Sequence, residues 1–270
     1  VEAILEKFGD DLHPGDVIIT NDPFKGHCNH LPDWGFIRPV FYEDELVFVL
    51  LTRGHQQDTG GSFPGGYFAN GYDIHAEGLI IPPIKIYDRG VERSDVLELI
   101  WNNVRFPEGV KIDNYALMAG LTVGEKRIHS LLDKYGKESV LNCVEEMLDR
   151  MEVNVRATIT EIPDGTYFGE SATDDDGTTL DEQVWVRCEA TIAGDEMTLD
   201  FTESDDQRTG FVNCVLASTY SRAVAGSFLF FDPEYSPFHN AGSMRPITLI
   251  APEGSVCNAQ YPATVGGSPV

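Results

Sequence analysis

The sequence predicts an α+β fold: mixed β-sheet regions, then a central helical layer, then a β-rich C-terminal part. Before residue 93, short apolar runs alternate with turns rich in Gly, Pro, Asn and Asp. From residue 93 to residue 162, Leu, Ile, Val and Met recur at helical spacing, and after Pro163-Asp164-Gly165 the pattern is strand-like again. This segregation argues against a regular βαβ series and divides the chain into regions 1–92, 93–162 and 163–270.

In the first region, residues 1–8 suit the end of a helix. Apolar runs predict strands at Val17–Thr20, Gly35–Phe41, Leu46–Thr52 and Leu79–Tyr87. The polar segment Tyr42–Glu45 predicts a hairpin turn between the second and third of these strands. Residues 59–78 predict an ordered loop that walls a pocket. Two prolines, Pro82 and Pro83, predict that the last strand lies at a sheet edge, because they remove backbone donors.

In the second region, helices are predicted over Ser94–Arg105, Asp113–Tyr135 and Lys137–Ile162. Ser94 is the expected N-cap of the first, and Gly136 is the expected break between the other two. In the third region, strands are predicted over Thr166–Ala172, Glu182–Ile192, Glu196–Phe201 and Met244–Ile250. Ala193-Gly194-Asp195 predicts a hairpin turn. The apolar segment Val215–Phe231 predicts a helix that is buried on most sides.

Composition and charge exclude several classes of protein. The chain has 270 residues, five cysteines without a Cys-x-x-Cys motif, and no apolar run long enough to span a membrane, which favours reduced thiols in a cytoplasmic protein. Its 44 acidic and 19 basic residues give a formal net charge of -25, which disfavours nucleic acid and anionic membranes as partners. The dispersed acidic residues also suggest a halophilic host. The helix-like run at residues 1–8 has no cap before it, and the sequence stops just after Gly266-Gly267, so we expect a fragment of a longer protein.

Two His-x-x-Asp elements flank the predicted hairpin and suggest a metal site. His30, Asp33 and His55 are the first-choice ligands, because two imidazoles and a carboxylate bind Mn, Fe or Zn and leave positions open. Pro32 places His30 and Asp33 on a turn rather than a helix. The alternative is that these side chains only satisfy the backbone of the turns. Spacing alone does not decide between the two.

Other polar residues are weaker candidates. Asp58 and Asp22 could orient a ligating imidazole or act as a base, although Asp22 before Pro23 is also a standard turn former. His27 and Cys28 could compete for the metal, or form a Cys-His nucleophile that lacks an orienting partner.

Three further features bear on ligands. Arg245 could clamp an anionic substrate group or pair with surface acids. Asp174-Asp175-Asp176-Gly177 resembles half of a calcium loop, but the later glutamate is missing, which favours a plain acidic turn. The sequence has no Gly-x-x-x-x-Gly-Lys-Ser/Thr phosphate loop, so nucleotide chemistry has to come from another chain.

Several motifs together resemble the hydantoinase B family, which includes the acetone carboxylase alpha subunit and the C-terminal half of 5-oxoprolinase. Asn21-Asp22-Pro23 with His30-Leu31-Pro32-Asp33 is similar to the family's Asn-Asp-Pro…His-Leu-Pro-Asp signature. His55-Gln56-Gln57-Asp58-Thr59-Gly60-Gly61 is similar to its His-His-x-Asp-Ile-Gly-Gly, with Gln56 and Thr59 departing from the commonest residues. The resemblance extends to Glu77-Gly78-Leu79-Ile80-Ile81-Pro82-Pro83, to Pro163–Tyr167 and to Arg245–Gly254.

The resemblance implies an α+β subunit that works with an ATP-binding A-type subunit. It implies that His30, Asp33 and His55 hold manganese, as the corresponding residues do in the acetone carboxylase branch. The expected function is that of the B-type subunit of an ATP-dependent hydantoinase or oxoprolinase, which opens a cyclic amide. The alternatives are the alpha subunit of an ATP-dependent ketone carboxylase and a non-catalytic scaffold for the A-type partner.

Overall fold

The computed structural model describes residues 1–227 and 238–267. Within them the helices are α1 (Glu2–Phe8), α2 (Ser94–Trp101), α3 (Pro107–Tyr135), α4 (Lys137–Thr160) and α5 (Leu216–Ser227). The strands are β1 (Val17–Thr20), β2 (Asp33–Tyr42), β3 (Glu45–His55), β4 (Ile84–Asp88), β5 (Val91–Glu92), β6 (Gly165–Thr173), β7 (Val184–Ala193), β8 (Glu196–Asp200) and β9 (Ile247–Ile250). The predicted α+β class is confirmed. No helix in the described ranges combines the length and hydropathy of a membrane span.

The first sheet has the strand order β3-β2-β1-β4-β5, and every neighbouring pair is antiparallel. The predicted hairpin is confirmed as β2 and β3, whose register runs from Tyr42 opposite Glu45 to Asp33 opposite His55. Glu43 and Asp44 close the hairpin with positive φ angles of 51° and 63°, which suits the right-handed twist of the strands.

Alternation along β1 gives the first sheet two apolar faces. Val17 and Ile19 point to one side and pack with α2 and α3, where Leu97 and Leu121 are buried. Ile18 points to the other side and packs with Ile4 of α1. Both faces are therefore covered, and the β2–β3 hairpin is supported along its length by α3.

The second sheet has the order β6-β7-β8-β9, in which only β8 and β9 are parallel. The hairpin turn predicted around Gly194 joins β7 to β8, with Ala193 opposite Glu196. Met151 and Ile159 of α4 pack against Ile247 on this sheet. Helix α3 packs against the first sheet, and α4 packs against the second. The chain therefore passes from one core to the other at the break between the helices, Gly136, where φ is 82°.

Two predictions near the boundary between the first and second regions were wrong. The segment 79–87 is not an edge strand: β4 begins only at Ile84, after both prolines, and lies between β1 and β5. Ser94 is the first residue of α2 rather than its cap, and no side-chain cap bond forms there. The helix ends at Trp101, and α3 begins at Pro107, because proline is tolerated in a first turn.

The predicted burial of the helix near residue 220 was also wrong. In α5 the buried side chains include Ser218 and Val224, whereas Leu216 and Tyr220 are exposed. The helix is therefore two-faced, and residues 228–231 of the prediction lie outside the described residues. The last predicted strand begins at Ile247, because Ala241–Met244 forms a 3-10 turn.

Candidate metal centre

The open end of the β2–β3 hairpin brings the first two candidate ligands together. Asp33 is the first residue of β2, and His55 is the last residue of β3, directly opposite it. Directly opposed residues in an antiparallel pair have Cβ atoms about 5 Å apart and project to the same face. The strand register therefore places the carboxylate beside the imidazole.

A tight turn adds His30 to this pair. The backbone N–H of Asp33 donates to the carbonyl of His30 over 3.2 Å, which confirms the turn predicted from Pro32. The N–H of Gln56 donates to the carbonyl of Pro32 over 2.8 Å, so the turn is tied to the end of β3. Backbone bonds thus hold both histidines on either side of Asp33.

The three side chains form one cluster. His30 Nε2 lies 3.2 Å from Asp33 Oδ1, and His55 Nδ1 lies 3.3 Å from the same oxygen. Potential ligand atoms of the three residues all lie within 4.8 Å of one another. His30 and Asp33 are largely buried, with side chains 12% and 16% exposed, whereas the side chain of His55 is 46% exposed. The site is therefore open to solvent on the side of His55.

Acceptors face both ring nitrogens of His30. Its Nδ1 lies 3.4 Å from the carbonyl oxygen of Gly266, and its Nε2 lies 3.2 Å from Asp33 Oδ1. A neutral imidazole carries one proton, so it can donate to only one of these oxygens. A second cation, either a further proton on His30 or a metal ion, would satisfy the other contact. The nitrogen and oxygen donors of the cluster suit a divalent transition metal.

The electrostatics keep Asp33 ionised. Burial alone would raise the pKa of its carboxyl, but the hydrogen bond and the charge of His30 lower that pKa below its ordinary value. The charge of Arg53 acts in the same direction. An ionised carboxylate is the form that a metal ion needs.

The loop predicted to wall a pocket lies against the cluster. The ring of Tyr67 lies 6.0 Å from the ring of His30 and 5.9 Å from that of His55, stacking on the latter. Phe211 packs edge-on against Tyr67 at 6.1 Å. These aromatic rings make one side of the site apolar, and the sequence patterns did not single either of them out.

Asp58 lies at the start of the loop that follows β3, where N–H groups surround its carboxylate. Its carboxylate accepts from the backbone N–H groups of Gly60, Gly65 and Arg105, and from the Arg105 guanidinium at 3.0 Å. Burial would raise its pKa, but these bonds lower it. Among the hydrogen bonds of the described residues, none joins Asp58 to an imidazole of the cluster. Its contacts fix the start of the loop.

Asp22 and its neighbours are likewise turn residues. Asp22 Oδ1 accepts from the N–H groups of Phe24 and Lys25 at 2.9 and 3.0 Å, as a turn former does. His27 is exposed, whereas Cys28 is buried with its thiol toward the carbonyl of Thr20. Burial raises the pKa of the Cys28 thiol to about 11. This thiol is poorly suited to act as a nucleophile.

The remaining residues considered as ligand or substrate contacts interact with other parts of the fold. Arg245 pairs with Asp149 at 2.6 Å and Glu152 at 3.1 Å on α4, which is the surface pairing considered as an alternative. The carboxylate of Asp176 accepts backbone bonds from Thr178 and Thr179, as the predicted acidic turn does. None of the five cysteines, all within the described ranges, forms a disulfide.

Sequence reasoning missed Glu77. Its side chain is fully buried, and its Oε1 accepts from the N–H groups of Val265 and Gly266 at 2.9 and 2.8 Å. Burial raises its pKa to about 7, while those two hydrogen bonds and the charge of His30 oppose the rise. A glutamate directly before the apolar segment 78–81 was the available signal, although it does not reveal the distant partners.

Comparisons with known proteins give consistent matches over the chain. The model of the family described as "Hydantoinase B/oxoprolinase" matches residues 1–270. The chain is 36% identical to the beta subunit of the caprolactamase of Pseudomonas jessenii, over 97% of this chain and 45% of that protein. It is 34% identical to the B subunit of a putative D-/L-hydantoinase of Pseudomonas sp. (strain NS671), over 97% of this chain and 46% of that protein.

A solved structure supports the same relationship. The crystal structure of the ATP-dependent caprolactamase from Pseudomonas jessenii superposes with a TM-score of 0.89 and 34% identity, over 99% of this chain and 46% of that chain. The chain spans about half the length of the curated relatives just described. The fold, the motifs and these matches lead to one conclusion: the chain belongs to the hydantoinase B/oxoprolinase family.

Proposed function

We propose that this chain forms the metal-holding part of the B-type subunit of an ATP-dependent hydrolase that opens a cyclic amide. His30, Asp33 and His55 would hold a divalent transition metal, manganese by the family resemblance, with zinc or iron as alternatives. An A-type subunit would bind ATP, and the complex would work in the cytoplasm.

One observation carries the metal assignment. His30 lies with Nδ1 3.4 Å from the carbonyl oxygen of Gly266 and with Nε2 3.2 Å from Asp33 Oδ1. His55 Nδ1 approaches the same oxygen at 3.3 Å. Two ring nitrogens and a carboxylate oxygen gathered in this way attract a cation, and one divalent ion could be bound by all three residues.

The substrate class rests on the relatives. One is named as a caprolactamase and the other as a putative hydantoinase, and both names denote cyclic amides. Identity above 30% to two such subunits favours amide opening over the ketone carboxylase alternative. The partner and the ATP requirement are inferred from the names of these relatives and from the ATP-dependent caprolactamase structure.

The residues suggest a division of roles. When bound, the metal would supply positive charge that polarises a carbonyl group and lowers the pKa of water. Asp33 would carry the negative charge of the site, and His55, the most exposed of the three, would lie nearest the entering substrate. Tyr67 would limit the water on one side of the site. The catalytic roles predicted for Asp58 and Asp22, and the substrate clamp predicted for Arg245, rest on the sequence alone.

Reconstitution tests this proposal. The full-length protein, purified with its A-type partner, is assayed for ATP-dependent opening of a lactam and of a hydantoin, with and without a chelator. We expect Asp33→Asn and His55→Ala to lose turnover, because each removes a ligand.

Matched controls lie on α3, beside the other end of the same hairpin. Asp133→Asn and His129→Ala change the same residue types beside Tyr42, where we expect turnover to persist. Chelator-resistant turnover, or equal activity in Asp33→Asn and Asp133→Asn, would refute the catalytic metal site.

A further inference from the structure

Arg53 is an exposed cation beside the candidate metal centre that the proposed function does not use. It precedes His55 by two positions on β3, so both side chains project from the same face of the sheet. Across the hairpin, Arg53 lies opposite Gly35, and His55 lies opposite Asp33. Arg53 is therefore the diagonal neighbour of Asp33, and such neighbours lie about 7–8 Å apart.

The charge of Arg53 reaches two groups at the site. Burial acts to raise the pKa of the Asp33 carboxyl and of the Cys28 thiol, and the positive charge of Arg53 acts to lower both. The guanidinium is thus close enough to Asp33 to influence its ionisation, in agreement with the strand register. A negatively charged ligand held by Arg53 would lie next to the three candidate metal ligands.

The guanidinium of Arg53 has no partner in the described parts of the chain. Most other arginines of this acidic protein pair with a carboxylate, as Arg38 does with Glu125 at 2.9 Å. Arg53, in contrast, forms neither a side-chain hydrogen bond nor an ion pair with any described residue. Gly35, which lies opposite it, has no side chain that could cover it. The five N–H donors of the guanidinium are therefore available to a ligand.

We propose that Arg53 binds an oxyanion on the substrate of the neighbouring metal centre. The identity of the substrate rests on the proposed function, whereas the position and the unpaired donors of Arg53 are observed independently. Two sources would supply such an oxyanion: a carboxylate, which the opening of an amide produces, or a phosphoryl group derived from ATP. Each presents two oxygens to the planar guanidinium fork, which binds carboxylate and phosphate bidentately.

The charge of the whole chain makes a local cation necessary for this binding. With 44 acidic and 19 basic residues, the chain has a formal net charge of -25, which repels anions in general. An anion is held only where positive charge is concentrated. Arg53 supplies one such charge, and a divalent metal ion on the three candidate ligands would supply the other. The anionic group and the reacting group of the substrate would then be held at neighbouring points on one face of the hairpin.

Three variants separate this role from a general effect of charge. Arg53→Gln removes the guanidinium, and Arg53→Lys keeps the charge but loses the bidentate fork. Arg127→Gln is the matched control, because Arg127 is also exposed and has no ion pair among the described residues. It lies on α3, which packs against the other face of β3. This control changes the net charge by the same amount as Arg53→Gln.

Isothermal titration calorimetry of the full-length protein gives the Kd for inorganic phosphate and for acetate. The ionic strength is kept low and constant, because salt screens an exposed charge. We expect wild type and Arg127→Gln to bind at least one of the two anions with the same Kd. We expect Arg53→Gln to weaken that binding about 10- to 100-fold, as the loss of a hydrogen bond to a charged group does. Arg53→Lys should weaken it by less. Tighter binding of phosphate would identify a phosphoryl group as the source of the oxyanion, and tighter binding of acetate would identify a carboxylate.

Elemental analysis of the same samples separates this proposal from the metal assignment. Arg53→Gln should keep the metal content of wild type, so that lost anion binding is not caused by a lost ion. Equal Kd values in wild type and Arg53→Gln, an equal loss in Arg127→Gln, or no binding of either anion by wild type would overturn the role of Arg53. If wild type holds no metal, the proposed function fails, and the same titrations still test Arg53.

Discussion

Asp33 is the residue on which the site depends, because both imidazoles approach the same carboxylate oxygen. His30 comes from a turn that precedes the strand, and His55 comes from the neighbouring strand. Replacing Asp33 would leave two imidazoles with no negative charge between them. The residue is therefore needed both for charge and for the meeting point of the ligands.

A pH prediction belongs to Glu77. Burial raises the pKa of its carboxyl from an ordinary 4.5 to about 7 in the folded protein. The native state then binds more protons than the unfolded state between these values, so the stabilisation is complete below the unfolded pKa and is lost as pH rises through about 7. We expect the free energy of unfolding of metal-free protein to fall over this range, by on the order of 3 kcal/mol more in wild type than in Glu77→Gln.

Chemical denaturation at several pH values measures this difference. The comparison with Glu77→Gln removes the contributions of the other carboxylates, including Asp73, whose charge also acts on Glu77. Parallel curves for the two proteins would show that Glu77 titrates normally.

At the residue scale, the sequence predicted the three clustered side chains but not what surrounds them. His30, Asp33 and His55 lie near one another in sequence motifs, and strand pairing makes their meeting predictable. Glu77 contacts Val265 and Gly266 across sequence separations of 188 and 189. A contact over that distance leaves no local pattern, so only the fold reveals it.

At the scale of elements, the β2–β3 hairpin presents the site and α3 supports the hairpin. The hydroxyl of Thr52 on β3 donates to the carbonyl of Leu117 on α3 at 3.2 Å. Buried α3 residues such as Leu121 belong to the core that includes Trp34 and Phe36 of β2. The geometry of the ligands therefore depends on a helix that contributes no ligand.

A pair of substitutions tests that support. Leu121 is 1% exposed, whereas Val123, two positions along the same helix, is 58% exposed. We expect Leu121→Ala to lower the free energy of unfolding by about 2–5 kcal/mol. Val123→Ala should change it by less than about 0.5 kcal/mol. Thermal or urea denaturation of both variants gives the comparison, and equal effects would contradict the assigned packing of α3.

Elements with strong local signals were predictable, and those that depend on neighbours were not. Alternation and Gly194 gave the β7–β8 hairpin, and Gly136 separated α3 from α4. The position of β4 inside the sheet depends on the short strand β5, which no sequence pattern indicated. The exposure of α5 likewise depends on what packs against it. The division into regions 1–92, 93–162 and 163–270 stays a prediction.

At the scale of the whole molecule, charge is the dominant feature. The chain has 44 acidic and 19 basic residues. Repulsion between the excess negative charges therefore destabilises the folded state. Ion pairs such as Arg38 with Glu125 and Arg156 with Glu152 offset only part of it. The prediction of a halophilic host follows from this imbalance and rests on composition alone.

Salt should therefore stabilise the protein. We expect the Tm at neutral pH to climb between dilute buffer and about 1 M KCl, because screening lengths fall from tens of ångströms to about 3 Å. The same titration at about pH 4.5, where many carboxylates are protonated, should show a much smaller rise. A flat or falling Tm at neutral pH would remove the electrostatic argument.

The metal content of the full-length protein tests the central claim most directly. Elemental analysis would compare wild type with His30→Ala, Asp33→Ala, His55→Ala and the control His129→Ala, each checked for folding by circular dichroism. We predict a single transition-metal ion in wild type and in the control, and its loss from the other three variants. Wild-type metal content in all three ligand variants would contradict the assignment of the site.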